Sequence, residues 1–346
     1  MAGTIDLPTG AAIQAARLRI ASVAKRTELS RFDAGSRSVP SVDTRPIPQL
    51  RGSPAAELYL KLENTQPIGS FKIRGAANAM ANASDEQLAG GVWTASAGNM
   101  AQGVAWCARE RDILCRVVVP EHASRTKTDA VLALGAEVIP VPFDAWWNAM
   151  LSRSHPGMTG LMVHPFADTH VMAGNGTIGL ELAEDAPDLD AVLVPWGGGG
   201  LACGIAAALR EVSPRTKVYA VEVETAAPLT ASLAAGKPVV VHRTRTFIDG
   251  MGSDRLSDEI WPLVPGLIAG TVVVTVAQVA VALRLMAETA NVIAEGAGAA
   301  TVAAALGGRV NGVRGASLEV ARVACIVSGG NIDAEVVRRI LRGEEG

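Results

Sequence analysis

From about residue 55 onward, short apolar runs alternate with stretches of helical spacing, and no other feature restricts the possible folds as strongly. Val92–Ala95 and the Val-rich Cys115–Val119, closed by Pro120, are predicted strands, as is Glu137–Val141. Between them Asn99–Arg109 and Arg125–Leu134, the latter ended by Gly135, read as helices. That βαβαβ order demands a parallel sheet with right-handed crossovers. Asp144–Gly160, with Trp146, Trp147 and two glycines, reads as irregular. The alternation resumes with strand Ala191–Val194, helix Leu201–Val212 and strand Lys217–Val223, and closes with strand Ala321–Val327 and helix Ile332–Leu341. Two α/β units flanking an irregular stretch predict two lobes, each an open, mostly parallel sheet flanked by helices. The first 50 residues mix helical and polar stretches and give no clear element.

The chain has 346 residues, enough for about two domains. Its 49% apolar content excludes wholesale disorder. With 31 basic and 34 acidic residues the net charge is −3, which argues against a nucleic-acid partner. Cys107, Cys115, Cys203 and Cys325 lack zinc or C-x-x-C spacing and sit in apolar stretches, as buried free thiols would. Asp6 and Pro8 interrupt the N-terminus, and no basic start precedes an apolar run, so no leader and a cytoplasmic location are expected. Gly266–Leu283 holds 18 uncharged residues, the minimum for a membrane span. Its Val-rich first half and the capping box Thr275-Val-Ala-Gln278 instead predict a buried strand followed by a helix, and no membrane partner.

Four segments at strand ends or loops carry potential chemistry. Gly197-Gly198-Gly199-Gly200-Leu201 follows a strand and opens a helix, so consecutive N–H groups face one point at a helix N-terminus and suit a phosphate. Gly197-x-Gly199-x-x-Ala202, with Glu222 about 20 residues on, also fits a dinucleotide fingerprint, which leaves an NAD-binding oxidoreductase open. In Gly69-Ser70-Phe71-Lys72-Ile73-Arg74-Gly75 the lysine stands among apolar and small residues, where desolvation would make it a Schiff-base amine rather than a surface cation. Ser96-Ala97-Gly98-Asn99 brings backbone N–H groups close to an anion such as a carboxylate, or serves as a plain helix cap. Ser328-Gly329-Gly330-Asn331 opens a strand end into small polar residues, a tight turn in isolation.

Together and in this order, the segments resemble the fold-type II pyridoxal-phosphate enzymes, specifically the threonine/serine dehydratase and serine racemase group. The resemblance runs from about Arg17 to Leu341, and residues 61–76, Lys-Leu-Glu-Asn-Thr-Gln-Pro-Ile-Gly-Ser-Phe-Lys-Ile-Arg-Gly-Ala, carry it most specifically. It implies a large cofactor domain of residues 1–85 and 167–346, a small mobile domain of 86–166, and an active site between them. Lys72 would hold pyridoxal 5'-phosphate as a Schiff base and act as general base. Gly197, Gly198, Gly199, Gly200 and Leu201 would cradle the phosphate, Phe71 would pack on the ring, Asn99 would bond the phenolic oxygen, and Ser328 would face the ring nitrogen. Ser96, Ala97, Gly98, Asn99 and Met100 would hold the substrate carboxylate. Gly174-Asn175-Gly176-Thr177 and Glu295-Gly296-Ala297-Gly298 also look like family segments, which makes Asn175, Glu295 and Gly296 cleft candidates.

The implied reaction is loss of water from a β-hydroxy-α-amino acid, giving a 2-oxo acid and ammonia. A neutral serine at the ring nitrogen suits prompt expulsion of a β-substituent. Racemase-type members carry Ser-Ser-Gly-Asn where this chain has Ala97, a residue that cannot transfer a proton. Cysteine-synthase-like β-replacement usually goes with Thr-Ser-Gly-Asn. A cofactor-binding protein without catalysis is disfavoured, because all four segments are intact.

Three departures matter. Met100 stands where the family often has His, and Ile68 where it usually has Thr, which suggests a bulkier or less polar substrate than threonine; with Trp146 and Trp147 a 3-phenylserine-like compound is one expectation. Glu222 matches the family's cation-binding glutamate, but the second carboxylate falls at Pro228, so a strong metal site is not expected. The given sequence runs only a little beyond Asn331, so feedback inhibition through a regulatory domain like that of biosynthetic threonine dehydratases is not expected. A homodimer is implied at family level only.

Overall fold

A computed structural model describes residues 5–33, 57–123, 125–307, 309–311 and 322–344. Among them the strands are β1 (Leu29–Phe32), β2 (Glu57–Lys61), β3 (Val92–Ala95), β4 (Cys115–Pro120), β5 (Glu137–Val141), β6 (Leu161–Met162), β7 (Ala191–Pro195), β8 (Lys217–Val223), β9 (Gly270–Val274), β10 (Arg309–Asn311) and β11 (Arg322–Ile326). The helices are α1 (Gly10–Arg19), α2 (Lys72–Ala81), α3 (Asp85–Ala89), α4 (Asn99–Arg109), α5 (Arg125–Ala133), α6 (Phe143–Ser152), α7 (Thr169–Asp185), α8 (Gly200–Val212), α9 (Pro228–Ala235), α10 (Val276–Ala290), α11 (Gly296–Gly307) and α12 (Ala334–Leu341). Ala321, the expected start of the last strand, lies outside the described residues.

Two sheets result. One runs β1-β2-β11-β7-β8-β9-β10, parallel except at its two edge pairs; the other runs β5-β4-β3-β6 and is wholly parallel. This is the α/β architecture expected from the alternation, and its predicted strands and helices are recovered to within one or two residues. The uncharged stretch resolves into strand β9 and helix α10, joined by the reciprocal Thr275–Gln278 capping box. No helix among the described residues is long and apolar enough to cross a membrane.

The stretch expected to be irregular instead begins with helix α6. Pro142 takes the N-cap with φ −52°, and Ala149 and Met150 bury one face against Trp93 and Val118. His155, Pro156, Gly157 and Gly160 interrupt the pattern just downstream and obscure the helical spacing.

Helix α2 is the hinge point of the packing. Ile73, Ala76 and Met80 share one core with Met100 and Val104 of α4 and Val117 of the smaller sheet. Burying a side chain such as Ile73 contributes about 1.5–3 kcal/mol. Its other side lies on α7, where a Cβ on Gly174 would stand 2.3 Å from the Arg74 carbonyl. Only glycine permits that approach, and it fixes the first turn of α2 at the carboxyl ends of the large-sheet strands. All four cysteines are buried free thiols, and burial pushes each up to about 12.

Candidate active site

Lys72 is the first residue of α2. The loop before it turns through Gly69, at φ +70°, and docks on the segment after β11: Phe71 N–H donates to the Ser328 carbonyl (3.0 Å) and Gly330 N–H to the Gly69 carbonyl (2.9 Å). The Lys72 ammonium, 5.1 Å from the Phe71 ring centroid, donates to the Pro165 carbonyl at 2.6 Å. Desolvation lowers its pKa to about 8, against the opposing pull of the Glu295 charge. The positive end of the α2 dipole acts in the same direction as desolvation.

Pro165 belongs to a turn built around His164. The buried imidazole accepts at Nδ1 from the N–H groups of Phe166 (3.2 Å) and Ala167 (2.8 Å). Burial holds its pKa down to about 3, so the ring is neutral and can accept. Phe166 stands edge-on to the His164 ring, 4.7 Å between centroids, and lies against Gly198, where a Cβ would come within 2.1 Å of its ring. One turn thus touches both Lys72 and the tetraglycine loop.

That loop links β7 to the 13-residue helix α8. Gly199 has φ +89°, and the N–H groups of Gly197 to Leu201 find no backbone acceptor among the described residues. Five free amides at a helix N-terminus fit a phosphate. Ser70 Oγ, Trp196 Nε1 and Asn175 Oδ1 are buried without a hydrogen-bond partner beside this loop or Lys72, while Asn175 Nδ2 donates to the Gly200 carbonyl (3.3 Å). These residues fit a phosphorylated group with further polar substituents.

Across from Lys72, β3 ends in Ser96–Asn99. Ser96 Oγ accepts from Gly98 N–H (3.2 Å), and a Cβ on Gly98 would meet nothing within 4 Å, so this backbone faces open space. Asn99 Nδ2 donates to Glu295 at 2.9 and 3.0 Å. Glu295 is 5% exposed, and burial raises its pKa to about 7 despite the Asn99 bond. Its N–H donates to the Gly329 carbonyl (2.9 Å). Lys72, Phe71, Asn99, Glu295, Ser328 and the glycine loop are thereby brought together, and Gly296 follows Glu295 as the buried first residue of α11.

Other candidates are placed differently. Met100 is 1% exposed and, with Ile68, packs into the core between α2 and α4. Residue 100 lies in the first turn of α4 with its side chain inward, so it offers the cleft only backbone, and the inference of a roomier pocket from Met100 and Ile68 is not carried by their placement. Glu222 stands near the end of β8. It is buried and caps α9, accepting from Leu229 N–H (2.7 Å), Thr230 N–H (2.8 Å) and Thr230 Oγ1 (2.6 Å), and burial raises its pKa. Pro228, where a second carboxylate would stand, is the donor-free first residue of that helix. No cluster of three or more metal-ligating side chains occurs among the described residues. Trp146 and Trp147 are half-buried, ring against ring with Phe143, and Arg255 stacks 6.0 Å from Trp147.

Sequence reasoning missed the His164-Pro165-Phe166 turn and a buried ionic network two residues from the lysine. Arg74 donates to Glu63 (2.8 Å at each oxygen) and Glu181 (2.6 and 2.9 Å), and Lys61 pairs with Glu181 at 2.7 Å. Charges spaced this way look like surface residues in sequence; the one signal was that Lys61, Glu63 and Arg74 stand inside the lysine segment, and Glu181 carried none.

Known proteins share this arrangement. A family model described as pyridoxal-phosphate dependent enzyme matches residues 40–329. An L-threonine ammonia-lyase of Thermotoga maritima is 42% identical over 289 residues, 82% of this chain and 70% of that protein. Among solved structures, maize serine racemase aligns with a TM-score of 0.83 at 29% identity, covering 98% of both chains. The processed form of threonine deaminase isoform 2 from Solanum lycopersicum aligns with a TM-score of 0.78 at 30% identity, covering 99% of this chain and 92% of that one.

Proposed function

The chain belongs to the pyridoxal-phosphate dependent enzymes, and from that premise we propose that it is an ammonia-lyase that removes water from a β-hydroxy-α-amino acid of the threonine or serine type, yielding a 2-oxo acid and ammonia. The observation that carries the reading is the Lys72 amine, held by one carbonyl at a helix N-terminus and linked through Phe166 to five free amides of a glycine loop.

Bound pyridoxal phosphate supplies an electron sink for the pair released when the Cα–H bond breaks. Lys72 is the residue that holds it, and with a pKa near 8 a useful fraction of its amine is neutral and basic. Amides of Gly197 to Leu201 would bind the phosphate, the Ser328 hydroxyl would offer a neutral partner to the ring nitrogen, and Asn99 would donate to the phenolic oxygen. Backbone N–H groups of the Ser96–Met100 segment orient the substrate carboxylate. Ala97 has no proton to give on the face opposite Lys72, which favours elimination over racemisation. In this reading residues 86–166, which contain the whole four-stranded sheet, move as a small domain against 1–85 and 167–346.

The substrate side chain is the finer part of the proposal. Trp146, Trp147 and Phe166 pack on one cluster, with Phe166 against the glycine loop and Arg255 over Trp147. Phe166, in the turn that holds Lys72, and the tryptophans that share its cluster support a β-aryl substrate such as 3-phenylserine. The test compares 2-oxo acid and ammonia release from L-threonine, L-serine, 3-hydroxyaspartate and 3-phenylserine, with Lys72→Ala as the blank. Release that vanishes in the blank supports the lyase, and the ranking assigns the substrate. No oxo acid from any of them, with the cofactor bound, overturns it.

A further inference from the structure

The Asn331 side chain stands between a backbone carbonyl and the amide of Asn99. Its Nδ2 donates to the Ile68 carbonyl (2.9 Å) and to Asn99 Oδ1 (2.9 Å), using both of its hydrogens. Asn99 Nδ2 then donates to Glu295. An amide side chain can flip and exchange oxygen for nitrogen at little steric cost. Here the direction is set by a backbone carbonyl at one end and agrees with the Glu295 carboxyl group at the other. The Ile68 carbonyl can only accept, so Asn331 must turn its nitrogen toward it. The same nitrogen requires the oxygen of Asn99, which leaves the Asn99 nitrogen facing the cleft and Glu295.

Gly69 holds the relay in place: with φ +70°, it leaves no room for a Cβ, which would fall 2.6 Å from Asn331 Oδ1. The turn that leads to Lys72 and the turn that follows β11 are therefore locked together at the residue that orients Asn99.

We propose that Asn331 is a positioning residue that fixes Asn99 as a hydrogen-bond donor toward the cofactor's phenolic oxygen, and so tunes that oxygen's ionisation. This rests on the reading that Asn99 contacts the phenolic oxygen. A donor favours the phenolate; loss of it disfavours the charged form.

The experiment is a pH titration of the bound cofactor's absorbance in the holoenzyme, for wild type, Asn331→Asp, Asn331→Ala and Asn99→Ala, with cofactor content and thermal melting measured alongside. Asn331→Asp keeps the shape but faces Asn99 Oδ1 with an acceptor, so Asn99 loses the donor that sets its orientation and only Glu295 still opposes its turning over. Its titration is expected to move up by about one pH unit, the scale of one hydrogen bond to a charged group. Asn331→Ala leaves Asn99 unconstrained and should move part of the way, which keeps the proposal testable if the Asp variant does not fold. A titration unchanged in both Asn331 variants while Asn99→Ala shifts overturns the proposal alone. A titration unchanged in Asn99→Ala overturns the Asn99 reading and the proposal with it.

Discussion

The carbonyl of Pro165 accepts a 2.6 Å hydrogen bond from Nζ of Lys72, 93 residues earlier in the chain. The acceptor is neutral, so it orients the amine without stabilising the ammonium as a carboxylate would. Desolvation then dominates and the pKa falls to about 8.

Cofactor capture by the cofactor-free enzyme should follow the neutral amine. At pH 7 a group of pKa about 8 is about one-tenth neutral, several hundred-fold more than an ordinary lysine. Stopped-flow absorbance should give a capture rate that rises about tenfold per unit below pH 8 and levels off above it. A rate still climbing at pH 10 would mean an unperturbed lysine.

His164 should matter for both stability and placement. Its folded pKa of about 3 lies below the ordinary 6.5, so between these values only the unfolded chain takes up the proton. This contribution to stability is full above pH 6.5 and is lost progressively as pH falls toward 3. Replacing His164 by Leu leaves two N–H groups of the turn without their acceptor, at a cost of about 1–3 kcal/mol. The variant's melting temperature should fall, and its loss with acid between pH 6.5 and 3 should flatten relative to wild type.

Met100→His is expected to destabilise rather than to change specificity. Met100 is enclosed by apolar side chains, and a buried imidazole without a partner costs about 1–3 kcal/mol beyond the lost packing. Denaturant melts should show the loss, with the ratio of threonine to phenylserine turnover nearly unchanged.

Much of this molecule was legible in its sequence because its elements obey local rules. Thr275 and Gln278 cap α10 where their spacing said they would, and the tetraglycine run opens α8. Local rules failed where long-range contact decides. Arg74, Lys61, Glu63 and Glu181 are charged and look exposed, yet each is neutralised by partners up to 120 residues away. Met100 occupies a motif position, but which way its side chain turns is fixed by packing between α2 and α4, which no motif records.

Glu222 illustrates the same point and yields its own prediction. Its carboxylate is saturated by two backbone amides and a hydroxyl at the start of α9, so a cation is not needed to hold it. Chelators should leave turnover and melting unchanged. Glu222→Gln replaces one acceptor oxygen by a donor that faces those N–H groups, and should cost about 1–3 kcal/mol with or without added divalent metal. A melting temperature raised by divalent metal in wild type and not in the variant would argue for a cation at this position.

Trp147 tests the substrate proposal from the side chain outward. Its ring stacks with Phe143, lies against Trp146 and receives the Arg255 guanidinium at 6.0 Å, and like Phe166 it packs against the core of Trp93 and Val118. An aryl group held in such a wall gains about 0.5–1.5 kcal/mol beyond its buried area, a threefold to tenfold effect. Trp147→Ala should therefore lower kcat/KM for 3-phenylserine by about that factor while sparing L-threonine, whose methyl group is too short to reach the ring. Equal losses for both substrates would assign the residue to packing of α6. A loss confined to phenylserine, entering through KM with kcat preserved, would place the ring against the bound substrate rather than in the chemical step.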